Sequence, residues 1–212
     1  MTPVSPLNKV FVKMDAFDEE VKTSNGVKLY KDTTYNPEWS ATVSAEAISI
    51  PAQVRQADHD TQGIKEFVKQ HDTILFRYLV VMQITQEDNA TRYHNQHFID
   101  GEVYWKVDYS MILGVLRNGE LIPAPGYIFA KQIEKKKEEK VGILYLPEMV
   151  KSEVVKGKAV VEYVGEPKTN AIDLGVTKGD TIVFPDRLAE KYEVNGEKFL
   201  VIRQEYVQAK EV

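Results

Sequence analysis

Apolar and polar positions along the chain alternate over short runs that Gly, Pro and Asn interrupt, the period of two expected of half-buried strands. Runs rich in β-branched and aromatic residues predict strands at 9–14, 41–50, 73–81, 103–107, 127–132, 158–164, 181–184 and 198–203. Within the sixth of these, Ala159, Val161 and Tyr163 share one face and Val160, Glu162 and Val164 the other, which predicts half-burial with one polar interruption. Around Ala47 the apolar set changes face, because Val43, Ala45 and Ala47 are followed by Ile48 and Ile50; a bulge there accounts for the switch. Sustained helical spacing is scarce. The pattern predicts an all-β fold of small-barrel or sandwich type.

The same pattern occurs twice, in the same order. Val10-Phe11-Val12-Lys13 returns as Ile128-Phe129-Ala130-Lys131. A charged stretch follows each, and then a Gly opening an apolar cluster: Gly26-Val27-Lys28-Leu29-Tyr30 in one case, Gly142-Ile143-Leu144-Tyr145-Leu146 in the other. Further on, Asp72-Thr73-Ile74-Leu75-Phe76 answers Asp180-Thr181-Ile182-Val183-Phe184. The successive offsets of 118, 116 and 108 residues place the length differences in loops, where they cost little. Two copies of one β-domain are therefore expected, over 1–125 and 126–212, with the boundary at Pro123-Ala124-Pro125-Gly126. Residues 83–101 lack a counterpart in the second copy and read as an inserted hairpin or loop.

Composition adds exclusions. With 43% apolar and 28% charged residues in 212, the chain can bury a core. It has no Cys, which removes disulfides, thiol nucleophiles and thiolate metal sites. The net charge of −5 lies wholly in residues 1–125, so a basic nucleic-acid face is not expected; Lys135-Lys136-Lys137-Glu138-Glu139-Lys140 alternates in sign like a solvated loop. No run of 18 uncharged apolar residues and no basic-then-apolar opening occurs, which leads us to expect a cytoplasmic protein without membrane contact. His94 and His97, or the group Asp58-His59-Asp60, give short spacings that also arise by chance, and exposed loops are the expectation over a metal site. Neither a phosphate-binding loop nor a nucleophile elbow is present, and adjacent acids such as Asp18-Glu19-Glu20 read as solvated loop.

The second copy resembles the GroES-type co-chaperonins, the small lids of barrel-shaped chaperonins. The resemblance is carried by Gly126-Tyr127-Ile128-Phe129-Ala130-Lys131, by Gly142-Ile143-Leu144-Tyr145-Leu146-Pro147 and by Lys158-Ala159-Val160-Val161-Glu162-Tyr163-Val164-Gly165. It continues through Val176-Thr177-Lys178-Gly179-Asp180-Thr181-Ile182-Val183-Phe184 and the closing 198–207. In the first copy, Pro6-Leu7-Asn8-Lys9-Val10-Phe11 and Met111-Ile112-Leu113-Gly114 resemble the family's beginning and end, while Lys28 interrupts the apolar triplet and His71 replaces a Gly.

The resemblance implies two tandem GroES-like small β-barrels and a non-enzymatic co-chaperonin, with no catalytic residue, metal or cofactor. Its partner would be a GroEL-type chaperonin, whose chamber it caps during ATP-dependent folding. Docking would fall to a mobile loop near 133–152 through Gly142, Ile143, Leu144, Tyr145 and Leu146. Gly26, Val27 and Leu29 would form the corresponding segment of the first copy, although Lys28 between them fits a half-exposed strand equally well. Taken alone, 142–147 also reads as a buried strand ending at a proline. The family's last strand pairs with its neighbour's first strand, which implies self-association into a ring-like oligomer. The other reading of the same barrel is a structural or binding protein of an assembly, for example viral, without lid function.

Overall fold

The computed structural model describes residues 3–14, 20–22, 28–30, 44–52, 67–82, 84–87, 90–136, 152–168 and 175–211. In chain order the first part holds β1 (Lys9–Lys13), β2 (Glu20–Lys22), β3 (Lys28–Tyr30), β4 (Ser44–Ser49), β5 (Thr73–Phe76) and the helical turn α1 (Leu79–Met82). It continues with β6 (Ile84–Glu87), β7 (Ala90–Tyr93), β8 (Gln96–Ile99), β9 (Glu102–Asp108), β10 (Ile112–Arg117) and β11 (Glu120–Pro123). The second part holds β12 (Tyr127–Lys136), β13 (Ser152–Val164), β14 (Thr181–Val183), β15 (Glu190–Val194), β16 (Glu197–Arg203) and β17 (Ala209–Glu211). The fold is all-β, as the alternation predicts.

Two antiparallel sheets dominate, in the orders β11-β10-β5-β4-β1-β9-β8 and β15-β16-β12-β13-β14-β17. Six strands of the first, taken from β8 to β10, run in the same order as the six of the second. The registers agree as well. Val10 opposes Val107 as Ile128 opposes Ile202, and Ala45 opposes Ile74 as Ala159 opposes Ile182. Each central strand carries a bulge at the same place, between Phe11 and Val12 and between Phe129 and Ala130. In the first sheet the unpaired residue is Ile48, where the face switch predicts it. Asn8 and Gly126 take left-handed φ of 58° and 82°, and His71 and Gly179 take 70° and 94°.

The apolar runs differ from simple alternation because several strands are buried on both faces. On β12, Ile128 and Ala130 enter a core with Val161, Ile182, Leu200 and Ile202, all within the second sheet. Their neighbours Tyr127 and Phe129 enter another, with Tyr192, Phe199 and Val201 against Leu75, Leu113 and Leu121 of the first part. Phe199 meets Phe129 edge-on at 6.0 Å. The first sheet has its own core around Trp105, Tyr109, Ile74, Phe76 and Ile112. At the rim of the shared core, Arg77 Nη2 stands 2.8 Å from Glu190, and Tyr192 donates its hydroxyl proton to the same carboxylate at 3.0 Å. Burial, then the Glu190 charge, pushes the Tyr192 hydroxyl well above its ordinary range.

Two expectations need correction. The strand read over 73–81 stops at Phe76, and α1 follows: Val80 N and Val81 N donate to Arg77 O and Tyr78 O. Both valines are buried in the turn, so burial overrides their strand preference. Within 83–101, the inserted-hairpin reading describes β6 and β7, whereas β8 belongs to the sheet as its edge, hydrogen-bonded to β9.

In each part a cation on the neighbouring strand clamps the turn before β5 or β14. Arg117 on β10 grips both oxygens of Asp72 at 2.9 and 2.6 Å and donates to Phe67 O at 2.7 Å. Lys210 on β17 donates to Gly175 O at 2.7 Å and stands 3.6 Å from Asp180. Burial acts to raise the Asp72 pKa, but the hydrogen bonds from Arg117 and from Lys69 N prevail and hold it below the ordinary value.

Asp72 therefore stabilises the fold fully above its unfolded-state pKa and loses that contribution as pH falls through the lower folded-state value. Urea midpoints should decline on acidification below about pH 4, and Asp72→Asn should flatten that decline while costing about 1–3 kcal/mol at neutral pH. A second test concerns the joint: a Cβ at Gly165 would stand 2.3 Å from Ala124 O, a backbone atom. Gly165→Ala should destabilise the chain by about 1–3 kcal/mol in the same assay.

Candidate functional site

The two longest strands, β12 and β13, form an antiparallel hairpin that extends beyond the rest of their sheet. Near the sheet, Ile128 opposes Val164 and Gln132 opposes Ala159; farther out, Glu134 opposes Val154 and Lys136 opposes Ser152. Between these stretches Ile133 alone stands against Val155, Lys156, Gly157 and Lys158, an irregularity that bends the outer arms away from the inner register. Gly157 anchors the bend with φ of 70°, and its carbonyl accepts from Phe184 N at 3.0 Å. A Cβ there would lie 2.9 Å from Phe184 O. The sequence signal was an isolated Gly between two lysines inside a strand pattern, which marks a bulge or a close backbone approach.

The hairpin arms lead into residues 137–151. Gly142, Ile143, Leu144, Tyr145 and Leu146, the predicted docking segment, lie outside the described residues. So do Gly26 and Val27, while Leu29 is on β3, opposite Val21 of β2. In both sheets, then, the connection after the central strand carries the predicted segment.

Charges line the outer face beneath the second hairpin. Lys131 Nζ stands 2.9 Å from Glu197 and 3.9 Å from Glu162, and 5.8 Å above the Phe199 ring. The hydrogen bond to Glu197 raises the Lys131 pKa. Lys178 pairs with Glu162 at 3.5 Å and lies 5.5 Å over Tyr163. These pairs are exposed, so they orient the surface more than they stabilise it.

Other candidate chemistry resolves into separate places. His71 Nδ1 lies 2.7 Å from Glu46. His94 is exposed, and His97 packs edge-on against Phe11 at 5.7 Å, with burial first and then Lys106 and His94 lowering its pKa. Asp58, His59 and Asp60 lie outside the described residues, among which no group of three His, Asp or Glu side chains converges. No helix among the described residues is long and apolar enough to cross a membrane. An open cleft of about 330 Å³ lies between the two parts, bordered by Phe67, Pro125 and Glu166; Arg117 at its edge is already committed to Asp72 and Phe67 O.

Residues 120–211 match the Chaperonin 10 Kd subunit family, Cpn10. The match begins with β11 and takes in every strand of the second sheet, including the hairpin and the segment it carries. It covers less than half of the chain. No curated protein matches the chain.

Gly157→Ala should strain the bend by about 1–2 kcal/mol and lower the melting temperature. Amide exchange at 134–136 and 152–154 should accelerate more than exchange in β16. Equal effects at both places would show that the bend is not locally anchored.

Proposed function

We propose that the chain is a non-enzymatic co-chaperonin made of two copies of one GroES-like barrel, which caps a GroEL-type chaperonin chamber during ATP-dependent folding. The observation that carries this reading is the Cpn10 match over residues 120–211, a stretch that takes in the long β12–β13 hairpin whose arms lead into 137–151. The matched strand orders, bulges and left-handed positions support assigning 1–125 to the same barrel as 126–212. Docking of Ile143 and Leu144 in an apolar groove is worth roughly 3–6 kcal/mol gross. Ordering the segment takes part of that back, which leaves each contact reversible and makes a ring of contacts necessary for tight capping.

Ring assembly follows from the pairing of a last strand with a neighbour's first strand. Here β10 pairs with β11, which leads directly into β12, so one such joint is internal to the chain. Whole chains then add two barrels at a time, which gives rings of six or eight barrels rather than the family's seven, or a ring in which only one copy of each chain takes the standard positions. A second reading keeps the barrels as an assembly component without lid function. It is favoured by the match stopping short of the first part and by Lys28 inside that part's apolar triplet.

Two measurements test the principal reading. Added to a chaperonin with ATP, the protein should change the ATPase rate and comigrate with the chaperonin. Ile143→Ser with Leu144→Ser should abolish both effects and leave the protein's own assembly intact. Trypsin should cut early within Lys135–Lys140, and chaperonin should suppress the cut. No change in ATPase rate and no complex would sink the lid and leave the assembly reading.

A further inference from the structure

Strand β8 is the edge of the first sheet and stands where β15 stands in the second, but the two edges are held differently. His97 opposes Tyr104 as Tyr192 opposes Phe199, and Phe11 opposes Lys106 as Phe129 opposes Val201, so His97 takes the place of Tyr192. On β15, Tyr192 is 1% exposed and Val194 is buried as well. On β8 no residue is fully buried: Phe98 is 72% exposed, and Gln96, His97 and Ile99 are half-buried. The ring contact that ties β8 to the face of its sheet is His97, edge-on to Phe11 at 5.7 Å. Its Nε2 is shut off from solvent and meets no hydrogen-bond partner among the described residues.

The surroundings of that nitrogen are poor for a proton. On this face β9 presents Glu102, Lys106 and Asp108 around Tyr104, β1 presents Lys9 and Lys13 on either side of Phe11, and β4 presents Glu46 opposite Lys13. Each of these carboxylates is engaged elsewhere: Glu102 with Lys13 at 2.7 Å, Asp108 with Lys9, and Glu46 with His71 at 2.7 Å. None is left to balance an imidazolium at 97, and Lys106 and His94 repel its charge. Tyr192, in the equivalent place, has its ionisation pushed well above the ordinary range and stays neutral. The second sheet's edge is thus held by a ring whose charge does not change near neutrality, and the first sheet's edge by one whose charge does.

We infer that His97 is an acid-sensitive latch: neutral, it holds β8 against the first sheet, and protonated, it lets β8 swing out and uncover Phe11 and Tyr104. The opening is local. Asn95 marks its limit, because its side-chain amide donates to Val80 O at 2.9 Å and its carbonyl accepts from Lys106 N at 2.8 Å, bonds that do not involve the ring at 97. At the other end the Asp100-Gly101 turn keeps β8 joined to β9. In the closed strand the neutral ring is favoured, whereas in the open strand it titrates at its ordinary value of about 6.5. Closure therefore loses stability as pH falls through that value, and the loss levels off below the lower value of the closed strand. Glu102 and Asp108, both held below the ordinary carboxylate range by their lysines, stay ionised through this window and keep their own pairs.

Amide exchange on the full chain at about pH 7 and about pH 5, each rate corrected for its intrinsic pH dependence, tests the latch. The amides that pair β8 with β9 should lose protection severalfold at the lower pH, while those that pair β15 with β16 keep theirs. His97→Phe retains an aromatic ring against Phe11 and should make β8 protection the same at both pH values. His94→Gln removes one repelling cation and should shrink the loss without abolishing it. Should the phenylalanine variant fail to fold, the wild-type imidazole still decides, since its proton NMR titration should fall below about 6.5. Unchanged β8 protection on acidification, an equal loss in β15 and β16, a loss that persists in His97→Phe, or an imidazole titrating at or above its ordinary value would each overturn the latch. All four are read on the isolated chain, so they are independent of chaperonin binding, which the Ile143 and Leu144 substitutions report.

Discussion

On β12 and β16, side chains at successive positions enter different cores. Ile128, Ala130, Leu200 and Ile202 close the second sheet's own interior, and Tyr127, Phe129, Phe199 and Val201 close the space against the leucines of β5, β10 and β11. Each such side chain buried is worth about 1.5–3 kcal/mol, so separating the two parts would expose several of them at once. That is the character of an obligate interface, not of two beads on a linker. Arg77, Glu190 and Tyr192 add a partly buried polar chain at the rim. Its value lies in orientation: a shifted docking would leave charges without partners in a desolvated place.

With the two parts locked, the bent hairpin of β12 and β13 has a fixed base. The Gly157 turn, seated on the backbone of Phe184, decides the direction in which the outer arms leave the sheet. A fixed base removes orientational freedom from whatever the arms carry. Several weak contacts presented from one rigid body gain from effective concentration without any single contact becoming tight. The lid reading requires that combination, and the geometry of the hairpin root is consistent with it.

The sequence made the central strands legible because they are the most apolar. Val10-Phe11-Val12 and Ile128-Phe129-Ala130 lie at the middle of their sheets, and the Ile48 bulge was visible as a change of face. The edge strands were not legible from hydrophobicity, since β8, β15 and β17 are mixed or exposed. A turn signal was available for most of them. Asp100-Gly101, Asn118-Gly119 and Asn195-Gly196 all have φ near +50° and +80°, the paired left-handed conformation of tight two-residue hairpins, and they create β8–β9, β10–β11 and β15–β16. The shared core was hidden for another reason. A strand buried on both faces gives one continuous apolar run, and nothing in such a run says which neighbour covers which side. For the candidate site, the order of elements around 142–146 was readable, but the Gly157 bend depends on contact with Phe184, a residue distant in sequence.

The contrast between the internal joint and the equivalent face of the first sheet has a physical logic that does not depend on ring size. A face made of Tyr127, Phe129, Phe199 and Val201 would be a contiguous apolar patch if it met water, an invitation to indiscriminate association. Covalent linkage lets the chain keep that face, because its cover arrives at high effective concentration and never leaves. The equivalent face of the first sheet carries a different set of side chains. There Lys9, paired with Asp108, and Lys106 flank Phe11 and Tyr104, which are themselves buried. Charged residues around one face and apolar packing at the closed joint are thus two solutions to one problem, the edges and faces that a sheet must cover.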